Sequence, residues 1–583
     1  MDRAELARVA LGEAKADVVV RGGCLVNVYT RELVEGVDVV VRGERIAYVG
    51  PDASHAIGPG TKILEADGLY VAPGFIDAHT HIDLYCTPAE LCKAALRHGT
   101  TSVVAEPDEL ANVLGFEGLR LFAEMVSRLP MKVYMLVPLV CPQDPAFDDN
   151  APLSLSEVEE ALKWPATLGL GEAVRWRSLL EGDPDYWLRV GLALRMGKVV
   201  EGHSAGARGA KLQGYVASGV GSCHESITAE EALERARLGL HVILREGSLR
   251  RDLASVLPGL LARLKHPCWV SLGTDIMDPE DLVELGYMDY VVRRAVELGA
   301  DPVDAVAMAT VNPARYFNID LEVGGVAPGR QADLVLLRSL ERVEVEATVS
   351  RGEVAFKGGR VLVDIRRYEP PPRALKTVRV PRPLRPEDFE IRAPREGVVR
   401  ARVIRLVSET VTELAVRELP ARGGRVELPR GYVGAAVVDR IAGTGRVGLG
   451  VLEGFGAEIG GLASTLNFDE NNLAVVGRSP SDMAAAANRA IELGGGIVLV
   501  EGGRVVRELA MPLAGVMSLG SLEEVAGALK WINNYLRGRG SALAKPLNVM
   551  LFLTFVTLPE ARLCPKGLVD VKRRRIVPLL AED

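Results

Sequence analysis

Between residues 71 and 320 short apolar runs alternate with helical segments that carry explicit start and stop signals, and this alternation over such a length is the pattern of a (β/α)8, TIM-like barrel. Runs such as KVYMLVPLV (132–140) and CWVSLGTD (268–275) are short and almost wholly apolar, as strands buried on both faces must be. Thr87-Pro88-Ala89-Glu90 offers a capping Thr, Pro at the first helical position and an acid three residues on, with Gly99 as the stop. Thr228 with Glu231, and Asp301 with Pro302, repeat the device. The last residues of the strands should therefore lie on one carboxyl face of the barrel.

The flanks differ in character. Residues 16–71 read as short strands with Gly and charged turns (ADVVVRGGCLVNVYT, VDVVVRGERIAYVG, KILEADGLYV), expected to be antiparallel and to need no helix. The pattern returns at 332–364, so residues 1–70 and 321–366 are expected to form one discontinuous β-sandwich domain around the barrel. Six prolines between Pro370 and Pro386 favour an extended linker over 367–392. Residues 393–583 then make a carboxyl-terminal α+β domain, in which VGLGVLEGFG and GGIVLVEGGRVV are strands around a helix that Ser479-Pro480 starts and Gly494 ends. The fold class is α/β, and a chain of 583 residues needs several such units because single cores stop growing at roughly 250–300 residues.

A formal net charge of −8 gives no broad basic field to hold a phosphate backbone, which argues against nucleic acid as a partner. No apolar run approaches the roughly 20 residues that span a bilayer, so no membrane partner is expected either. The start of the chain, MDRAELARVALGEAKADVVV, mixes acids with its apolar residues, unlike a secretory signal. Cys24, Cys86, Cys92, Cys141, Cys223, Cys268 and Cys564 form no CxxC pair and read as reduced thiols. Both features argue for the cytoplasm, and the net charge fits a small-molecule substrate better than a nucleic acid.

Residues 71–81, VAPGFIDAHTH, read as one apolar strand ending in His-x-His. Side chains two apart on a strand face the same way, so the imidazoles of His79 and His81 can hold one divalent ion. A bare pair of this kind is more often a polar strand end; the preceding PGFIDA changes that, because PGFIDAHTH resembles the first-strand metal motif of the amidohydrolase superfamily. The resemblance implies a bridging carboxylate or carboxylated Lys after the fourth strand, His after the fifth and sixth, and Asp after the eighth. The chain offers LGLGE ending at Glu172, VVEGH at His203, SCHE containing His224, and LGTD at Asp275, in that order. By the resemblance His79, His81 and Asp275 bind one metal and His203 and His224 the other, with Glu172 bridging. The other histidines, His55, His98, His241 and His266, follow no such motif and are expected to be structural. Two divalent ions are implied, Mn2+ or Fe2+ foremost and Zn2+ also compatible with imidazole and carboxylate ligands.

Longer stretches narrow the resemblance. HGTT (98–101), AEPDELANVLG (105–115), GHSAG (202–206), REGS (245–248), and in the carboxyl part GFG (454–456), AST (463–465), 487–496 and GLVD (567–570) are similar to the adenine deaminase family, over nearly the whole chain. The family implies hydrolytic deamination of adenine to hypoxanthine and ammonia by a metal-bridged hydroxide, with Asp275 taking the proton of the attacking water and passing it to the departing ammonia. A further acid is needed at the ring nitrogen, and Glu225 and Glu109 are the candidates. Asp108, Phe468, Asn471 and Tyr287 stand where the family has histidines, all outside the six implied ligands. Deamination of another aminopurine, hydrolysis of a related ring amide, and a catalytically impaired metal-binding paralogue that senses nucleobases are the alternatives. The implied partner is a purine base, and a homo-oligomer, a dimer, is expected.

Overall fold

The structure, a computed structural model, describes residues 2–150, 152–468 and 470–581; Asp469, within the NFDENN stretch, lies outside them. At its centre Phe75–Thr80, Thr100–Ala105, Lys132–Val137, Thr167–Leu170 and Val199–Val200 pair in chain order as one parallel run. Ser222–Cys223, His241–Arg245 and Val270–Gly273 form a second. The runs meet at both edges: Gly221 N–H donates to the Val200 carbonyl at 2.9 Å, Asp275 N–H to that of His79 at 2.9 Å, and His81 N–H to that of Asp275 at 2.8 Å. These are the eight strands of a closed barrel, with helices such as Pro88–Arg97, Ala229–Arg237 and Met288–Glu297 packed outside.

The side chains of Thr228, Asp301 and Ser479 cap their helices as their positions suggested, accepting from Glu231, from Val303 and Asp304, and from Asp482 respectively. Thr87 occupies the cap position without a side-chain bond; its carbonyl takes the Glu90 N–H at 2.9 Å instead. The stretch 71–81 is not one strand. Tyr70–Pro73 pairs with Leu334–Leu337 in the outer sheet, and the barrel strand begins only at Phe75. The break falls at Gly74, where a Cβ would lie 2.2 Å from Thr101 Oγ1, so only glycine lets the chain pass from one sheet to the other.

Strands from both flanks share one nine-stranded sheet, ordered 360–361, 353–357, 345–350, 334–337, 70–73, 18–27, 32–42, 45–50, with Lys62–Glu65 also on Val18–Asn27. Val20, Val39, Val41, Leu334, Leu336 and Val349 gather in one core on its inner face. One expectation changes here. Lys62–Glu65 and Tyr70–Pro73 run parallel to Val18–Asn27, because the loop after Gly50, with its turn at Ser54–Ala56, carries the chain back before it re-enters the sheet. A helix, Arg3–Ala10, also covers this sheet, burying Leu6 and Val9 beside Val19 and Val40.

The proline-rich segment is strapped down, with Ala374, Leu384 and Phe389 buried. Asn488 brackets Leu384, accepting from its N–H at 2.9 Å and donating to its carbonyl at 2.8 Å. Beyond it a second nine-stranded sheet spans Gly397–Leu406 to Arg504–Ala510, with Pro480–Glu492 packed on one face through an alanine stripe. This unit reaches the barrel directly, since Met517–Ser518 pairs in parallel with Tyr85–Cys86 just beyond the first barrel strand.

Candidate metal centre and active-site pocket

Glu172 follows the fourth barrel strand, and four imidazoles converge on its carboxylate. His79 Nε2 and His81 Nε2 lie 3.1 and 3.2 Å from Oε1, while His203 Nδ1 and His224 Nε2 lie 2.5 and 3.4 Å from Oε2. Asp275 Oδ1, beyond the eighth strand, lies 3.9 Å from His79 Nε2 and 3.7 Å from His81 Nε2. The six residues thus divide into two overlapping clusters whose ligand atoms fall within 4.8 Å of one another: His79, His81, Glu172 and Asp275, and Glu172, His203 and His224. Nitrogen and oxygen donors of this kind, one carboxylate shared between two pairs of imidazoles, suit a pair of divalent cations.

Neighbouring groups fix the orientation of these side chains. His81 Nδ1 lies 3.1 Å from the Glu106 carbonyl, an arrangement that keeps the proton there and turns the Nε2 lone pair inward. The Glu106 carboxylate accepts the Glu172 N–H at 2.8 Å. Gly171 permits this approach, since a Cβ there would fall 1.7 Å from Glu106 Oε1. Asp77 ties the first strand to the eighth, accepting from Thr274 Oγ1 at 2.6 Å and Tyr287 OH at 2.8 Å. Burial still pushes its carboxyl up to about 6 against those bonds. Asp275 has φ +60°, a left-handed conformation that a non-glycine residue rarely adopts, and the two backbone bonds to the His-x-His strand hold it there.

The field in the cluster favours positive charge. Burial works against protonating His203, yet Glu225 and Glu172 raise it to about 9; burial likewise opposes charging His81, and Glu172, Asp108 and Asp275 raise it well above the ordinary histidine value. Burial would lift the Glu172 carboxyl, but His224 and His203 hold it well below the usual carboxylate range. Divalent cations satisfy this field while leaving the imidazoles neutral, so the residues present fit the group that the family implies.

Arg245, at the end of the seventh strand, is buried and donates to Asp275 Oδ2 at 3.2 Å and to Asp252 at 2.8 Å. It also engages Glu225. The Glu225 carboxylate, which burial alone would raise, is held far below its ordinary value by Arg245 and the adjacent histidines. Both expected acids, Glu225 and Glu109, line the cleft, Glu225 on Arg245 and Glu109 on the side of the carboxyl-terminal domain. Glu109 lines the pocket and receives the Asn471 amide from the carboxyl-terminal domain. That amide also donates to the Asn467 carbonyl at 2.7 Å, and Arg440, fully buried, holds the backbone there by donating to the Asn471 main-chain carbonyl at 2.5 Å and to that of Ala514 at 2.9 Å.

Above the cluster opens a cleft whose empty volume, mouth and open solvent included, is about 610 Å³. Phe468, Phe552, Phe555 and Leu558 from the carboxyl-terminal domain make one apolar wall, and Val174, Leu249 and Ile276 of the barrel add to the lining. The Phe468 and Phe552 rings meet edge to face, their centroids 5.3 Å apart. Of the four positions that differ from the family pattern, Asp108 and Phe468 line this cleft, Asn471 reaches it through Glu109, and Tyr287 lies behind it on Asp77. Sequence motifs did not disclose the roles of Arg245, Gln143, Phe552 or Phe555. The position of Arg245 at a barrel strand end was a usable signal; for the phenylalanines, far along the chain, there was none.

Two family models match: the amidohydrolase family over residues 70–355 and the adenine deaminase C-terminal domain over 409–575. A protein named adenine deaminase from Cenarchaeum symbiosum is 40% identical over 578 residues, covering 99% of this chain and 95% of its own. Its namesakes from Moorella thermoacetica and Paracoccus denitrificans are 38% and 37% identical, each alignment covering 99% of this chain and 98% of the relative. With both halves matched and full-length relatives at this level of identity, the chain belongs to the adenine deaminase family of the amidohydrolases.

Proposed function

We propose that this protein hydrolyses adenine to hypoxanthine and ammonia. The observation that carries the proposal is the division of four imidazoles between the two oxygens of Glu172 beneath an apolar wall that includes Phe468, Phe552 and Phe555, in a chain similar from end to end to proteins named adenine deaminase. His79, His81 and Asp275 would hold one divalent cation and His203 and His224 a second, with Glu172 within reach of both. Imidazole and carboxylate donors suit Mn2+, Fe2+ and Zn2+ alike. When bound, the cations supply the charge that acidifies water to a nucleophile at neutral pH.

The chain's own residues supply the rest. Asp275 takes the water's proton and later delivers it to the departing amine, and Arg245 keeps its second oxygen oriented toward the site. Glu225, beside His224, or Glu109, which receives the Asn471 amide, donates to the ring nitrogen next to the attacked carbon, which lets an aromatic amine leave. Phe468, Phe552 and Phe555 cover the ring and exclude water. The unbridged cysteines support work in a reducing cytoplasm. The test is incubation of metal-reconstituted protein with adenine, measuring ammonia and hypoxanthine together. Stoichiometric release of both is expected, and two bound metals without product would overturn the proposal.

A further inference from the structure

The loop after the third barrel strand carries Gln143 into the cleft, where its side chain is one of the lining groups. The residue is only 4% exposed, and among the described residues its Oε1 has no hydrogen-bond partner. A buried amide carbonyl without a partner is costly, and in a binding cleft the natural explanation is a donor brought by the ligand. The backbone on either side is pinned. Cys141 Sγ donates to Asn112 Oδ1 at 3.3 Å, and Arg574 grips both oxygens of Asp144 at 2.7 and 2.9 Å. Phe147, a few residues on, is buried against Val556 and Val569. Gln143 is therefore held in place while its own acceptor is left to the cleft.

With the exocyclic amine of adenine at the metal cluster, the one remaining donor on the base is the N–H of its five-membered ring. We propose that Gln143 Oε1 accepts this N–H, so that Gln143 is a specificity-determining residue selecting the free base over an N9-substituted one. The inference rests on adenine being the substrate.

The experiment compares kcat and KM for adenine and 9-methyladenine, which lacks the ring N–H, in the wild type, Gln143→Met and Gln143→Glu. The wild type should strongly prefer adenine. Gln143→Met, of similar length but without the acceptor, should raise KM for adenine on the order of 10- to 100-fold with kcat held within a few-fold, and the preference over 9-methyladenine should collapse. Gln143→Glu keeps the acceptor and should restore KM toward the wild-type value. The melting temperature of Gln143→Met should not fall below that of the wild type, because the loop anchors are untouched and the acceptor it removes has no partner among the described residues. A wild type active on adenine with a Gln143→Met variant of unchanged KM and preference would overturn the role of Gln143 alone. A fall in kcat without a change in KM would do the same. A wild type inactive on adenine would overturn the substrate and this assignment together.

Discussion

At the scale of single residues, Asp275 allows chemistry to be separated from folding. Its φ of +60° is a conformation that Asn tolerates as well as Asp, so Asp275→Asn should keep the fold while removing the proton acceptor. Turnover of adenine should drop on the order of 1,000-fold or more with little change in melting temperature; unchanged kcat would refute the assigned role. Gly171 is the converse case. A methyl group there meets Glu106 Oε1 at 1.7 Å, and Glu106 in turn holds the backbone of Glu172. Gly171→Ala should cost about 1–3 kcal/mol and lower the metal content measured by elemental analysis, and full occupancy with wild-type stability would sink this account. The residues that converge on Glu172 could be read from sequence because each sits in a short contiguous motif at a strand end. Arg245, engaged by Glu225, Asp252 and Asp275 from three different strand ends, could not, since only folding sets those partners side by side.

At the scale of elements, the barrel carries a buried neutral histidine. His241 opens the seventh strand, its Nε2 2.7 Å from Ser271 Oγ and its ring stacked 4.5 Å from that of Tyr316. Burial pushes it down to about 3. A lowered value means that the folded state binds fewer protons than the unfolded chain, so this stability is fully present above about pH 6.5 and is lost as pH falls from there toward 3, by about 2 kcal/mol at pH 5. Asp77, raised to about 6, acts with the opposite sign, so the histidine is isolated by difference. Urea unfolding at pH 7 and pH 5 should show a smaller acid loss in His241→Gln than in the wild type; equal losses would remove His241 as the cause. Sequence marked this histidine as structural because no metal motif surrounds it, but its strand neighbours and its depth came from the closed barrel.

For the whole molecule the decisive contact is between barrel and carboxyl-terminal domain. Lys545 reaches Asp278 at 2.6 Å and Asp281 at 3.0 Å, close in sequence to Asn548–Phe552, which supplies part of the apolar wall. Burial opposes charging this lysine, yet the two aspartates raise it above its ordinary value. Lys545→Met strands two neighbouring, mostly buried carboxylates and should cost about 3 kcal/mol, with faster proteolysis within 367–392 and a raised KM for adenine as the wall loosens. Wild-type unfolding and proteolysis in that variant would show that the domains are held elsewhere.

What the sequence determined alone is local or periodic. The strand and helix alternation required a barrel, strand ends named the residues around Glu172, and caps such as Thr228 and Ser479 placed helix starts, because each depends on neighbours within a few residues. Tertiary structure decided the break at Gly74, the parallel return of Lys62–Glu65, the commitment of Glu225 to Arg245, and the cover of Phe468, Phe552 and Phe555 over the barrel mouth. Those depend on which distant surfaces become neighbours when apolar area is buried, and no spacing along one chain encodes that directly.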